Sequence, residues 1–128
     1  MSGRVCVCLV DDDPLIRDAA GMALSDRGYA VVLARNGAEG LAAIERGLPD
    51  VVVTDIVMPD ADAFEFLPLL RDRYPQLPVV AMSGGGEKGT SVYLRVASKL
   101  GARECLNKPF SIETLVNAIE RARGMPTE

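Results

Sequence analysis

VCVCLVDDDPLIR, Val5 to Arg17, runs six consecutive apolar residues directly into three aspartates and a proline. An apolar run that is continuous rather than alternating marks a parallel strand covered on both faces. Neighbouring carboxylates repel, and each raises the cost of ionising the next. Part of the crowding is explained by a helix start, with Asp13 as N-cap and Pro14 at the first helical position. That leaves Asp11 and Asp12 at the end of a buried strand, where a metal site, a catalytic site and plain solvation all remain open.

Working outward, the same alternation continues. From Pro14 to Arg27, Leu15, Ile16, Ala19, Met22 and Ala23 recur at helical spacing, and Gly28 is placed to end the helix. YAVVLA (29 to 34) reads as a second strand. Asn36 caps a helix through Arg46, with Gly47 after it and Pro49 beyond. VVVTD (51 to 55) is a third strand, followed by a helix from about Asp62 to Tyr74. Pro68 lies inside that helix and is expected to kink it or delay its start. PVVAMS (78 to 83) is a fourth strand. After SGGGEKG a helix runs from about Thr90 to Leu100 and stops at Gly101, and ECLN (104 to 107) is a short fifth strand. Ser111, with Glu113 and Thr114 in the first turn, opens a last helix through about Arg123.

Strands alternating with helices in this way predict a doubly wound five-stranded parallel sheet, because parallel neighbours require right-handed crossovers. Ligands in such sheets bind outside the carboxyl ends of the strands. Asp11 and Asp12 end the first strand, Asp55 the third, Ser83 the fourth, and Lys108 follows the fifth. Any one of them could be an ordinary surface residue, but all fall on the rim where binding is expected.

At 128 residues the chain suits one domain with its own core. The net charge is -4 and no run of Lys and Arg is present, which argues against direct nucleic-acid binding. The opening apolar run is too short for a signal-peptide core or a membrane span, so the expectation is a cytoplasmic protein with no membrane partner. Cys6, Cys8 and Cys105 show no metal-ligand spacing, and there is no histidine to complete a zinc site. Cys6 and Cys8 are expected to be small core residues on one side of a strand.

Three carboxylates converging on one rim form a hard oxygen site suited to magnesium or manganese. Magnesium keeps waters and commonly shares phosphate oxygens, so such a site predicts a phosphoryl ligand. Asp55 is then a candidate nucleophile, since carboxylates form aspartyl phosphates. Phosphoryl transfer depends on positioning and on charge stabilisation at the equatorial oxygens. Magnesium would hold one of them, the Lys108 ammonium a second, and the Ser83 hydroxyl with nearby N-H groups the third.

LVDDDP, VVVTDIVMPD, AMSG and LNKPF, in this order, resemble the receiver domain of two-component response regulators, over about residues 4 to 123. The resemblance implies a flavodoxin-like fold with strand order 2-1-3-4-5. It implies Asp55 as phosphoacceptor, and magnesium held by Asp11, Asp12, Asp55 and the backbone carbonyl of Val57. Ser83 and Lys108 would sense the phosphoryl group, and Lys108-Pro109 would be cis. A histidine kinase or histidine phosphotransfer protein would be the donor, a further protein would receive the signal, and the expectation is a receiver without an output domain. The chain departs from the family at Ala63, Pro68 and Cys105 and in a longer SGGGEKG loop. Ala63 replaces a usual glycine, so positive φ is not expected there. Cys105 stands where the family usually has a Tyr or Phe, which directs attention to the glycine-rich loop 84 to 89 and the helix carrying Tyr93 as the responding elements. Val57 and Gly85, two residues beyond Asp55 and Ser83, offer no side-chain hydrogen bond to a hydrolytic water, which implies a long-lived phosphoprotein. Two other classes stay open: a magnesium-dependent phosphatase that uses an aspartyl phosphate, and a flavodoxin-like nucleotide binder.

Overall fold

The computed structural model describes residues 4–56, 63–84 and 90–124, with backbone only at 63, 64 and 90–94. Its elements are β1 (Cys6–Val10), α1 (Pro14–Asp26), β2 (Ala30–Ala34), α2 (Gly37–Arg46) and β3 (Val51–Asp55), then α3 (Ala63–Arg73), β4 (Val79–Ser83), α4 (Thr90–Lys99), β5 (Glu104–Asn107) and α5 (Ile112–Ala122). All strand pairs are parallel, in the order β2-β1-β3-β4-β5. This is the doubly wound, flavodoxin-like sheet expected from the alternation and the resemblance.

The continuous apolar runs serve two faces at once. Val7 and Leu9 of β1, with Val51 and Val53 of β3 and Met82 of β4, pack with Leu24 of α1 and Leu115, Ala118 and Ile119 of α5. Their neighbours Cys8, Val10, Val52 and Ala81 pack on the opposite face with Ile44 of α2, Phe66 and Leu70 of α3 and Ala97 of α4. Because successive strand residues point to opposite faces, a run buried on both sides must be apolar at every position. Cys8 is accordingly buried, and its thiol is pushed up to about 11 by burial, with Cys6 adding to the effect.

Helix ends follow local chemistry. The Asp13 carboxylate accepts from the backbone N-H groups of Leu15 and Ile16, Asn36 from Glu39, and Ser111 from Thr114. At the end of α1, Gly28 adopts φ +95 while its N-H bonds Ser25 and that of Tyr29 bonds Leu24, the paired closure that calls for glycine. Gly47 ends α2 in extended backbone instead, at φ -168.

Pro68 does not delay α3, which begins five residues ahead of it at Ala63. An interior proline costs about 3 kcal/mol. Phe66, Leu67 and Leu70 are each at most 3% exposed, and burial of such side chains returns about 1.5 to 3 kcal/mol apiece, which outweighs the proline. Ala63 itself takes helical backbone, in keeping with the absence of glycine there.

Strand register brings the rim residues level. Val10 lies opposite Thr54, so Asp11 and Asp55, one residue beyond each, leave the sheet at the same height. Asp55 pairs with Met82, and Ser83 with Asn107, which places Lys108 one residue past the edge.

Candidate functional site

The peptide bonds of the rim are fixed before any side chain acts. Asp11 N-H donates to the Ala34 carbonyl at 3.1 Å, Ile56 N-H to Met82 at 3.0 Å, and Lys108 N-H to Ser83 at 2.9 Å. The buried Thr54 hydroxyl donates to the Asp55 carbonyl at 3.0 Å. Lys108-Pro109 is cis, as the resemblance implied.

On this frame Asp11, Asp12 and Asp55 each bring one carboxylate oxygen within 4.8 Å of the others, close enough for one cation to be shared. Asp11 is fully buried and Asp55 nearly so, whereas Asp12 is exposed. The crowding raised by the sequence is answered within the chain itself. The Lys108 ammonium donates to Asp11 Oδ2 at 2.7 Å and to Asp55 Oδ2 at 3.0 Å. Burial alone would push this ammonium down, but the hydrogen bond to Asp11 and the charge of Asp55 more than offset it, and the net shift is upward. Asp11 also accepts from the Asp13 N-H at 3.0 Å through its other oxygen.

The structure thus divides the two leading aspartates. Asp11 is a paired, buried acceptor whose loss removes one of the two carboxylates that hold Lys108; Asp12 faces solvent. Asp12→Ala should therefore leave the unliganded fold within about 0.5 kcal/mol of the parent, as exposed substitutions commonly do. Divalent-cation affinity should fall at least about tenfold, since one of the few carboxylates available to a magnesium ion is gone. Denaturant melts and calorimetric magnesium titration of the same sample check both halves.

Ser83 is 0% exposed, and its Oγ has no hydrogen-bond partner among the described residues. An orphaned buried hydroxyl costs about 1 to 3 kcal/mol, and this one ends the strand next to that of Asp55.

Gly84 is a further requirement. A Cβ there would lie 2.8 Å from both Cβ and Cδ of Lys108, because the lysine stem passes directly over this backbone. Gly84→Ala must displace the stem near its root, where it is least able to yield. We expect a loss of about 1 to 3 kcal/mol, the usual cost of overpacking, together with weaker phosphoryl uptake. Thermal melts and a labelling assay measure the two effects.

All of Asp11, Asp12, Asp55, Ser83 and Lys108 therefore meet at one rim. The Val57 carbonyl, Gly85 and the loop through Gly89 lie outside the described residues, as does the side chain of Tyr93. Cys105 sits in β5 opposite Ala81, half-buried against the α2, α3 and α4 face, and its thiol is raised by burial and by neighbouring Glu104. Reading the sequence missed Thr54, Gly84 as a spacer for Lys108, and Arg17, whose Nη1 donates to the Asp11 carbonyl at 3.1 Å. A signal for Arg17 existed: a cation in the first turns of a helix opposes the helix dipole and needs a local anionic partner.

Comparison with known proteins points the same way. The DNA-binding transcriptional regulator NtrC of Bradyrhizobium sp. (strain RP501 Parasponia) is 38% identical over 122 residues, covering 95% of this chain and 25% of that protein. The chain thus spans about a quarter of that relative's length. MprA of Mycobacterium sp. (strain KMS) is 38% identical over 88% of this chain and 47% of its own. Among solved structures, the receiver domain of NtrX from Brucella abortus superposes with a TM-score of 0.85 at 32% identity, covering 94% of this chain and 99% of that one. A receiver domain from Clostridium thermocellum gives 0.85 at 28% identity, with 94% of each chain covered. With strand order, rim carboxylates and buried lysine already in place, the match of the response regulator receiver domain model to residues 7–120 assigns the chain to that family.

Proposed function

We propose that the chain accepts a phosphoryl group on Asp55 from a phosphohistidine of a histidine kinase or phosphotransfer protein and signals by the resulting change in conformation. The observation that carries this is the Lys108 bridge between Asp11 and Asp55 beside the orphaned Ser83 hydroxyl. Three carboxylates and one ammonium leave the site a formal charge of -2, which a divalent cation matches. Asp11, Asp12 and Asp55 supply the hard oxygens that magnesium or manganese takes, and the family resemblance adds the Val57 carbonyl. When bound, such an ion would neutralise charge on the transferring group.

The chain's own groups do the rest. An Asp55 carboxylate oxygen attacks phosphorus as the phosphorus-nitrogen bond breaks, and the imidazole leaves with the bonding pair. Lys108, freed from Asp55 as that carboxylate becomes an acyl phosphate, follows the new charge with its ammonium. Ser83 donates its hydroxyl to a phosphoryl oxygen and so gains the partner it lacks. The downstream partner is a protein that distinguishes the two states. On this reading the role is acceptor rather than turnover enzyme, and membership of the receiver family supports it over the phosphatase and nucleotide-binder alternatives.

Incubation with acetyl phosphate tests the reading by intact mass. One phosphoryl group should be gained with magnesium and none with a chelator; uptake indifferent to the cation would contradict it. With Val57 and Gly85 at the two positions that could orient water, the phosphorylated form should persist for minutes or longer in magnesium buffer, and a time course of the same mass measures it.

A further inference from the structure

We propose that Arg17 is a positioning residue for the cation site: through the Asp11 carbonyl it sets the pose of the peptide that joins Asp11 to Asp12. The inference rests on the cation-dependent acceptor reading above and names a residue that reading does not use.

Arg17 occupies a costly place. Its side chain is only 14% exposed, although arginine is rarely buried without a paired anion. It also lies in the first turns of α1, where the helix dipole disfavours a cation and no acidic residue sits in the first turn. Among the described residues its ion-pair partner is Asp18, at a long 3.9 Å from Nε, and Asp18 is 63% exposed, so this contact contributes little. Glu39, at the start of α2, is already engaged by Arg35, which donates to it from Nε at 2.9 Å and from Nη2 at 2.8 Å. Among the described residues the closest bond of the guanidinium is to the Asp11 carbonyl, at 3.1 Å.

That carbonyl belongs to the peptide between two carboxylates of the cluster. The turn has three clamps: Asp11 N-H to Ala34 O, Asp13 N-H to Asp11 Oδ1, and Arg17 Nη1 to Asp11 O. The first two hold the backbone and side chain of Asp11. Arg17 holds the plane that determines where Asp12 projects, and exposed Asp12 has no other such restraint among these bonds. Groups that orient ligands from one shell out commonly change metal affinity when removed.

Charge and position predict opposite signs, which makes the role testable. As a positive charge near a cation site, Arg17 repels the ion, so removing it should tighten binding. As a clamp it organises the site, so removing it should weaken binding. Isothermal titration with magnesium, run on the parent, Arg17→Met and Arg17→Lys with the unliganded melting temperature of each, separates the two. We expect about a tenfold loss of affinity in Arg17→Met. Arg17→Lys, which keeps a donor and a charge, should recover most of it. Unchanged or tighter binding in Arg17→Met, or a deficit that lysine does not reduce, would overturn the positioning role while leaving the acceptor reading intact. Absence of magnesium binding in the parent would instead overturn the reading on which it rests.

Discussion

Asp55→Asn should take up no phosphoryl group from small donors while remaining folded. The amide nitrogen of the variant is not nucleophilic and its oxygen carries no charge, so the attacking group is removed with almost no change in shape. Asp55 is 5% exposed at the carboxyl end of β3, and the peptide that joins it to Ile56 is held by the Thr54 hydroxyl at the Asp55 carbonyl and by the Met82 carbonyl at the Ile56 N-H, neither of which depends on the side chain. The variant retains a hydrogen-bond acceptor for Lys108 and loses one of the repelling charges, so its stability should stay close to that of the parent. Intact mass after incubation with acetyl phosphate and magnesium checks the first expectation and urea denaturation the second. Undiminished labelling would place the chemistry elsewhere on the rim.

Lys108→Met should produce the largest stability change of any rim substitution, about 3 kcal/mol or more in the absence of divalent cation. Methionine replaces the buried stem at similar volume but leaves Asp11, fully buried, and Asp55 facing each other without their shared ammonium. Removing one partner of a buried ion pair costs about 3 to 5 kcal/mol, because the remaining charge is desolvated and unanswered. Magnesium should reverse much of this, since it supplies the missing positive charge, and a ligand at about 100 times its Kd adds about 2.7 kcal/mol to the folded state. Urea denaturation with and without magnesium measures the deficit and its rescue. A variant as stable as the parent without cation would show that Lys108 does not neutralise the cluster.

The fold was legible because its three central strands are buried on both faces. Val5 to Val10, Val51 to Val53 and Val79 to Met82 are apolar at every position, as a covered parallel strand requires, and each is followed by a helix. Asp11, Asp12, Asp55, Ser83 and Lys108 could be placed together because residues just past the ends of parallel strands share one rim. Other features depend on where side chains go, which strand patterns do not encode. The ion pair of Lys108 with Asp11 is one, since the two residues lie 97 positions apart. The passage of the lysine stem over Gly84 is another, because a glycine in a loop reads first as a turn residue. The expected effect of Pro68 on the start of α3 failed for a related reason: a local backbone cost was weighed without the burial of Phe66, Leu67 and Leu70, which the tertiary fold supplies.

The central claim is that the acceptor is the carboxylate of Asp55, and chemical location of the phosphoryl group tests it most directly. Borohydride reduction of the phosphorylated protein converts an aspartyl phosphate to homoserine, and peptide mass spectrometry then reads the modified position. The account predicts homoserine at position 55 alone. Homoserine at position 11 or 12, or a borohydride-resistant phosphate ester on Ser83, would contradict it.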